Sequence, residues 1–397
     1  MKNKLHKILV LSLVLISGFN FLPQFKLGPI PVFQILIVTS LLTSFYNINK
    51  NTKNTNVTRC YLLYILTSLP SLFIGLFLEI SNVFLVFIYT LFPLLLFLTT
   101  YIKISKLFYL KLLWGLNISM ILIVVVGWLL RFSFISSTFF FDVIPSEFKL
   151  GYWGIQYTES TRNHDYLYPL VGLSVSVFFY TLNKYKLVCL GLVVFFIITL
   201  LASNSRGAIV VSVIAVFLLL KKSTAINKFV ALLFFAIIVI INFNIISNLY
   251  TIRYESIISS IFRTKDQESR FSNGERLSIL NDGFNAAVVN PIGYGFNNYS
   301  YIYESRPGAR VSNSGENAFL TLLIERGWLA LFFFLKTFWF LYKEATFKGG
   351  VSLNRYLTLF LFLYFMFNYE LNSSFATFMF FIMFLDNYFA PKIKLIK

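Results

Sequence analysis

Long apolar runs separated by polar connections dominate the pattern of hydrophobic and polar residues along this chain. Each run has 14–19 residues, close to the roughly 20 helical residues that cross a bilayer. The pattern predicts an all-α polytopic membrane protein with about twelve transmembrane helices, forming one integral membrane domain over residues 1–397. The predicted spans are approximately 8–24, 30–46, 61–78, 83–101, 112–130, 166–182, 187–203, 206–220, 229–246, 317–335, 356–369 and 373–389.

Composition excludes an ordinary soluble domain. Hydrophobic residues make up 57% of the chain and charged residues only 13%, far from the average of soluble proteins. The two cysteines, Cys60 and Cys189, both fall near span ends that we place on the cytoplasmic side. We therefore expect no disulfide between them.

Basic residues orient the predicted spans. With the amino terminus inside, the cytoplasmic segments hold 21 of the 34 basic residues and two of the 16 acidic residues. This is the excess of Lys and Arg that cytoplasmic loops carry. We therefore expect both termini in the cytoplasm and two long loops outside, 131–165 and 247–316.

The kind of basic residue also changes across the predicted membrane. Of the 21 inside, 19 are lysine, whereas ten of the other 13 are arginine. The planar fork of arginine is suited to bidentate contact with phosphate or carboxylate. Chance or ion pairs within the protein can explain any single arginine, but the asymmetry as a whole points to an anionic ligand at the outer face.

Arg206 heads an apolar run, 207–220, that is too short to cross a bilayer alone. Fourteen helical residues reach about 21 Å against roughly 30 Å of hydrocarbon. The span must therefore draw Arg206 to the membrane surface or below it, where an arginine is unfavourable without a compensating role.

Within the large outer loop, the sequence predicts a short amphipathic helix followed by a tight turn. Ser272 and Glu275 have the spacing of a capping box. Pro291 ends the helical pattern, and glycines after it allow the turn. Arg276 then lies in the first turn of a helix near the outer surface, whose apolar positions are Leu277, Leu280, Phe284 and Val288.

Polar clusters mark the entries of two predicted spans. Arg162, Asn163 and His164 precede the sixth span, where they could bind sugar hydroxyls or simply form a polar helix entry. Glu316 and Asn317 stand at the entry of the tenth span. Glu316 is a candidate for proton transfer, and its alternative role is that of an ordinary interfacial acid.

Glu325 and Arg326 lie inside the tenth predicted span, about 13 Å beyond Glu316 along a helix. Their simplest interpretation is a neutralised structural pair. The two glutamates are half a helical turn out of phase, so they can share one pocket only if the helix is broken, at Gly315 or Gly327.

Several common catalytic signatures are missing from the sequence. There is no D-x-D pair for a metal and a nucleotide sugar, and no Walker loop. The two histidines fall on opposite predicted sides, so no histidine-rich metal site can form. We expect no metal, no cofactor and no nucleic-acid partner.

In their order and spacing, five motifs resemble the O-antigen polymerase (Wzy) and O-antigen ligase (WaaL) superfamily. The resemblance covers about residues 160–335 and the number of spans. Ligases usually carry His-Asn where this chain has Glu-Asn, and Glu-Asn looks more like the polymerases. The matching residues are Ser205-Arg206-Gly207, Arg276, Pro291-Ile292-Gly293-Tyr294-Gly295, Glu316-Asn317 and Glu325-Arg326-Gly327.

The resemblance implies a glycosyltransferase of the bacterial inner membrane, GT-C-like in fold, with its active site facing the periplasm. It implies polymerisation of undecaprenyl-diphosphate-linked oligosaccharide repeat units into O-antigen or a similar surface polysaccharide. Membrane lipid and a chain-length regulator protein are the implied partners. Sequence reasoning is compatible, since an activated sugar outside the cytoplasm cannot be nucleotide-linked.

Within this scheme, Arg206 and Arg276 are expected to stabilise the departing diphosphate without a metal. Glu316 is expected to orient or deprotonate the acceptor hydroxyl. The remaining candidates are expected to bind the donor and acceptor; they are Arg162, Asn163, His164, Arg270, Arg306, Arg310, Asn317, Glu325 and Arg326.

Two alternatives stay open at this point. A ligase would transfer finished polymer to a lipid A core, and a polysaccharide flippase or other transporter would also suit twelve spans. Transporters usually concentrate charge along a central pathway through the bundle, whereas here the first five spans are almost free of charge and the polar residues lie in outer loops.

Overall fold

The chain is largely helical in the computed structural model, which describes residues 10–12, 14–15, 26–27, 30–31, 35–36, 39, 56–77, 105–131, 166–182, 185–202, 206–220, 280–295, 318–347, 352–367 and 374–389. Two antiparallel two-residue strands, β1 (Lys26–Leu27) and β2 (Ile30–Pro31), pair early in the chain. The longer helices are α1 (Asn56–Phe77), α2 (Lys106–Arg131), α3 (Leu167–Thr181), α4 (Lys186–Ala202), α5 (Arg206–Leu220), α6 (280–289), α7 (Ala318–Phe347), α8 (Asn354–Phe367) and α9 (Ser374–Phe389).

The described helices follow the predicted spans closely. Each of α1–α5 and α7–α9 coincides with one predicted span to within a few residues, except at the end of α7. In the described ranges, three segments are long and apolar enough to cross a membrane: Asn56–Gly75, Lys106–Leu129 and Ala318–Thr346. These findings are consistent with a polytopic membrane protein. The total of twelve spans and the GT-C-like arrangement stay predictions.

Two predicted boundaries are wrong. The second predicted span, 30–46, starts too early, because Ile30 and Pro31 belong to a strand; proline lacks the N–H that a helix interior needs. The tenth predicted span, 317–335, ends too early, because α7 continues to Phe347. The residues after 335 stay rich in aromatic side chains, and Phe338 packs edge-on against rings of α8 and α9.

The chain divides into two compact units. The first comprises residues 1–9, 37–109 and 272–394, and the second comprises residues 10–36, 110–271 and 395–397. The first unit holds α1, the first turn of α2, and α6 to α9. The second unit holds the rest of α2, together with α3, α4 and α5. The single integral membrane domain expected over 1–397 stays a prediction.

Aromatic rings form the core of the first unit. The buried ring of Phe334 on α7 lies 5.2 Å from Tyr64 of α1, 5.1 Å from Phe338 and 5.6 Å from Phe380 of α9, measured between ring centroids. Tyr61, one turn before Tyr64, contacts the same part of α9. Edge-to-face and tilted ring contacts at these distances add to the burial energy, so α1, α7 and α9 pack as one group.

A buried carboxylate joins three helix ends in this unit. Asp386, near the end of α9, accepts hydrogen bonds from the Tyr109 hydroxyl (2.7 Å), the Ser352 hydroxyl and the backbone N–H of Asn354 (2.8 Å). The last two groups belong to the start of α8, whose first N–H groups have no partner within the helix. Asp386 therefore caps α8 and ties it to the beginning of α2.

The second unit is built around α3, which is buried on all sides from Leu167 to Phe179. Such burial is expected for a helix that is apolar all round. The Asn117 side chain of α2 donates to the Ser176 hydroxyl (3.1 Å). The ring of Phe196 on α4 lies over Gly172, where an added Cβ would come within 2.2 Å of it. The two cysteines, Cys60 in the first unit and Cys189 in the second, are buried and are not joined by a disulfide.

Candidate functional site

The helix α7 is broken at Gly327, within the sequence Glu325-Arg326-Gly327. Gly327 has φ 83° and ψ 176°, a backbone conformation that is essentially restricted to glycine. The break separates a helical segment, 318–326, from a longer one, 328–347, and it frees backbone groups from helical hydrogen bonding. Of the two glycines at which the sequence allows a break, Gly327 has one, and Gly315 lies outside the described residues.

The turn that follows α6 supplies partners for the freed carbonyls. The N–H of Tyr294 donates to the carbonyl of Ile324 (2.9 Å), and the N–H of Gly295 donates to the carbonyl of Glu325 (3.0 Å). These bonds join the Pro-x-Gly-x-Gly motif to the Glu-Arg-Gly motif. We call this contact between residues 291–295 and 324–328 the joint. Two motifs that are distant in the sequence are therefore joined by backbone hydrogen bonds.

The joint is close-packed and depends on glycine on both sides. A third hydrogen bond runs in the opposite direction, from α7 to the turn: the N–H of Trp328 donates to the carbonyl of Pro291 (3.0 Å). A Cβ at Gly327 would come within 2.4 Å of that same carbonyl oxygen. A Cβ at Gly293, which has φ 99°, would come within 2.7 Å of the carbonyl oxygen of Glu325. Backbone therefore meets backbone at this joint, with no room for a side chain between.

Small residues let α6 approach α7. Gly283 and Ala287 are buried against Leu320 and Ile324, and a Cβ at Gly283 would come within 2.8 Å of the Ile324 Cδ1 atom. The indole N–H of Trp328 then donates to the carbonyl of Ala287 (3.1 Å). This contact continues the joint from the turn into the helix itself.

Only part of the predicted apolar stripe of α6 packs on α7. Phe284 and Val288 are 49% and 59% exposed, although the Phe284 ring touches Trp328 edge-on. The buried face carries only Gly283, Ala286 and Ala287 besides the partly buried Leu280. A face with large side chains would hold α6 too far away for its turn to reach the broken backbone of α7.

Arg326 is buried beside the break and contacts α1. Its side chain is 5% exposed, and its Nη1 donates to the Tyr64 hydroxyl (2.8 Å). The guanidinium carbon also lies 5.5 Å from the centroid of the Tyr64 ring, within cation–π range. Glu325, adjacent in sequence, is 4% exposed. The neutralised Glu325–Arg326 pair stays a prediction, and Tyr64 is a partner that sequence reasoning missed.

Most of the other predicted site residues lie outside the described residues. Arg206 is the first residue of α5, but its side chain is not among those described. The helix start at Arg206 agrees with the predicted start of the eighth span. The roles of Arg162, Asn163, His164, Arg270, Arg276, Arg306, Arg310, Glu316 and Asn317 stay predictions, because these residues fall in the ranges left undescribed.

Comparison with known families places the joint in a recognised region. Residues 191–335 match the family model Wzy_C, described as O-antigen ligase. Over these residues the chain is similar to that family. The predicted resemblance to the O-antigen polymerase and ligase superfamily is thereby confirmed. In a separate comparison, no curated protein matches the chain.

The matched region contains most of the predicted catalytic machinery. It begins within α4 and ends within α7, so it includes Arg206, Arg276, Glu316 and the joint at Gly327. It does not include Tyr64 or the 162–164 cluster. Over residues 191–335 the chain is therefore similar to the O-antigen polymerase and ligase superfamily.

No metal site emerges from the described side chains. Within the described ranges, no group of three or more His, Cys, Asp or Glu side chains is placed to hold an ion. Arg326 and the Tyr64 hydroxyl are polar groups that these ranges bring together next to the joint.

Proposed function

We propose that this protein polymerises undecaprenyl-diphosphate-linked oligosaccharide repeat units at the periplasmic face of the bacterial inner membrane. The observation that carries the proposal is the joint between the Pro-x-Gly-x-Gly turn and the Glu-Arg-Gly break, inside the matched residues 191–335. Two of the five motifs that carry the resemblance thus form one rigid element. Arg276 comes before the turn of this element along the chain, and the segment that contains Glu316 leads into the broken helix.

The proposed reaction forms one glycosidic bond and breaks one phosphate ester bond. A hydroxyl oxygen of the acceptor sugar attacks the anomeric carbon of the donor. The bond from that carbon to the lipid diphosphate breaks, and the diphosphate leaves with the electron pair. The hydroxyl proton passes to Glu316 or to water. A diphosphate is a good leaving group, so positioning of the two sugars supplies much of the acceleration.

Arg206 and Arg276 are the proposed stabilisers of the leaving diphosphate. Charge grows on the bridging oxygen as the glycosidic bond breaks, and preorganised guanidinium groups in a water-poor site stabilise it more than water does. An arginine fork can also hold two phosphate oxygens at once, which a lysine cannot. The other outer arginines are proposed to bind donor or acceptor phosphates.

Polymerase is favoured over ligase by the residue before Asn317. The superfamily resemblance places a histidine there in ligases, and this chain has Glu316. The printed description of the matched family is O-antigen ligase, so ligase is the second candidate. A flippase or transporter is the third, because the number of predicted spans also suits that class.

The lipid-linked glycan profile of a deletion strain tests the proposal. A strain that lacks the polymerase should accumulate single repeat units on the lipid carrier, and the intact gene should restore long polymer. Arg206→Ala should restore little or none, since loss of one such stabilising group lowers the rate by roughly 10²–10³. Arg206→Lys should restore less than the intact gene, because it keeps the charge but loses the fork.

Lys222→Ala is the matched control, at the other end of the same predicted span, and should restore polymer fully. Long polymer that stays on the carrier in the deletion strain would identify a ligase instead. Repeat units that never reach the periplasm would identify a flippase. Normal polymer length with Arg206→Ala would contradict the assigned role of this arginine.

A further inference from the structure

The segment 280–295 has no charged residue after Asp282, and the sequence stays free of charge through Tyr303. This is unusual for a connection that lies in water, since the polar side of a soluble loop is normally rich in charge. Within the segment, Phe284, Val288 and Ile292 are about half exposed, at 49%, 59% and 51%. The exposed part of the segment is therefore largely apolar.

These exposed residues continue a surface of α7. Trp328, which touches Phe284, is 38% exposed, and Leu329 and Phe332 are 64% and 54% exposed. They belong to Ala318–Thr346, which has the length and composition of a membrane span. The apolar surface of a candidate membrane span therefore continues onto α6 through the contact between Phe284 and Trp328.

The position of the joint along α1 gives its depth. Tyr64 contacts α7 on both sides of the break, at Arg326 before it and at Phe334 after it. Within Asn56–Phe77, Tyr64 lies about 12 Å from the first residue and about 20 Å from the last. Since this helix also has the length of a span, the break and the turn docked on it lie within the thickness that α1 crosses.

The hydrogen bonding of the turn suits such a position. Irregular backbone inside a bilayer is tolerated only where its N–H and C=O groups are paired within the protein. The turn meets this condition with the bonds to α7 described above. In addition, the N–H of Gly293 donates to the Asn290 carbonyl (3.1 Å), the Asn290 side chain donates to the Gly293 carbonyl (3.0 Å), and the Tyr294 hydroxyl donates to the Ala286 carbonyl (3.2 Å).

We infer that residues 280–295 form a re-entrant element that enters the membrane rather than an aqueous loop, and that Phe284, Val288 and Ile292 contact the acyl chains of bilayer lipids. Asn281 is exposed on the same face of α6 as Val288 but two turns nearer the start of the helix, where it faces water or headgroups. The inference does not depend on the reaction proposed above.

Quenching of a fluorescent label tests this placement in the full-length chain in proteoliposomes. Single cysteines replace Val288 or Ile292, and a matched cysteine replaces Asn281 near the start of α6. The background carries Cys60→Ala and Cys189→Ala. Labels at positions 288 and 292 should lose most of their fluorescence in lipids brominated on the acyl chains and little with aqueous iodide. A label at position 281 should show the reverse.

A label at Leu329→Cys, on the exposed face of α7, reports whether the protein is folded and inserted, because bromolipid should quench it in either case. Iodide quenching at positions 288 and 292 equal to that at position 281 would overturn the inference in favour of an aqueous loop. Protection of positions 288 and 292 from both quenchers would overturn it in favour of a protein cover, such as a second copy of the chain.

A pair of arginine substitutions gives a second readout that needs no label. Val288→Arg should lower the Tm of the protein in lipid nanodiscs, because it places a charge among acyl chains. Asn281→Arg, two turns nearer the start of α6, should leave the Tm unchanged. Equal Tm values for the two variants would contradict the lipid contact.

Discussion

At the scale of single residues, Gly327 and Gly293 make the joint between α7 and the turn possible. Each has a positive φ, and each lies with its Cα against the backbone of the other segment. The sequence indicates that glycines at these positions allow a turn and a break. It does not indicate that the two glycines face each other, because contacts between distant segments depend on packing.

We expect Gly327→Ala to destabilise the protein. The methyl group would be 2.4 Å from the Pro291 carbonyl oxygen, and the residue would keep a backbone conformation that costs roughly 1–3 kcal/mol without glycine. The Tm of the purified protein measures the effect. Gly191→Ala is the control, since nothing lies within 4 Å of its added Cβ in α4, and alanine should be neutral or stabilising in a helix. A Tm for Gly327→Ala as high as that for Gly191→Ala would contradict the close packing of the joint.

The Arg326–Tyr64 hydrogen bond gives a second prediction at this scale. Tyr64→Phe removes the hydroxyl and keeps the ring, so it should lower the free energy of unfolding by roughly 1.5–3 kcal/mol, the range for hydrogen bonds to charged groups. Tyr61→Phe, one turn earlier, keeps its ring contacts with Phe380 and Phe384 and should have little effect. Denaturation of the detergent-solubilised protein measures both, and equal losses would show that the bond to Arg326 adds nothing.

At the scale of elements, the break in α7 divides a predicted span into two helical segments. Hydrophobicity alone predicts one continuous helix over 317–335, yet the structure has two helical segments that continue to Phe347. The hydrophobic pattern cannot reveal the break, because both segments are apolar. Only the docked turn, which pairs with Ile324 and Glu325, makes the broken backbone stable.

The cap on α8 provides the prediction at this scale. Asp386→Asn keeps the size of the side chain but replaces one carboxylate oxygen by an amide N–H₂, so that at least one of the three hydrogen bonds, from Tyr109, Ser352 and Asn354, becomes a contact between two donors. Tyr109→Phe removes only one of these bonds, for an expected loss of roughly 1.5–3 kcal/mol. The loss for Asp386→Asn should be larger. Thermal unfolding compares the two, and an equal or smaller loss for Asp386→Asn would contradict the cap.

At the scale of the whole molecule, charge and structure agree on which helix ends lie together. Lysines and an arginine at the starts of α2 and α8 and after α9 place all three ends on one predicted side. The Asp386 network joins the same three ends. The predicted topology requires this arrangement, while the assignment of that side to the cytoplasm stays a prediction.

Thiol labelling of intact cells tests the assignment of sides. In a background with Cys60→Ala and Cys189→Ala, a cysteine at Ser259 in the large outer loop should react with an impermeant maleimide. A cysteine at Lys348, after α7, should react only once the inner membrane is permeabilised, and it serves as the control for leakage. The reverse pattern would put loop 247–316 in the cytoplasm and would contradict the proposed periplasmic reaction.

The sequence by itself determined the membrane class, most helix positions and the family of the matched region. These properties depend on local composition, on charge near helix ends and on short motifs in order, all of which are written along the chain. The sequence also identified Arg326 and Glu325 as unusual, because charge inside an apolar span is expensive wherever the chain folds.

Only the tertiary structure decided which distant residues meet. Tyr64 lies in an ordinary apolar span, and it became a partner of Arg326 because α1 packs along α7. A face of small residues on α6, and not the apolar stripe alone, packs on α7, because two backbones can approach closely only where the side chains between them are small. Such contacts arise from shape and hydrogen bonding across segments far apart in the chain, and no local pattern records them.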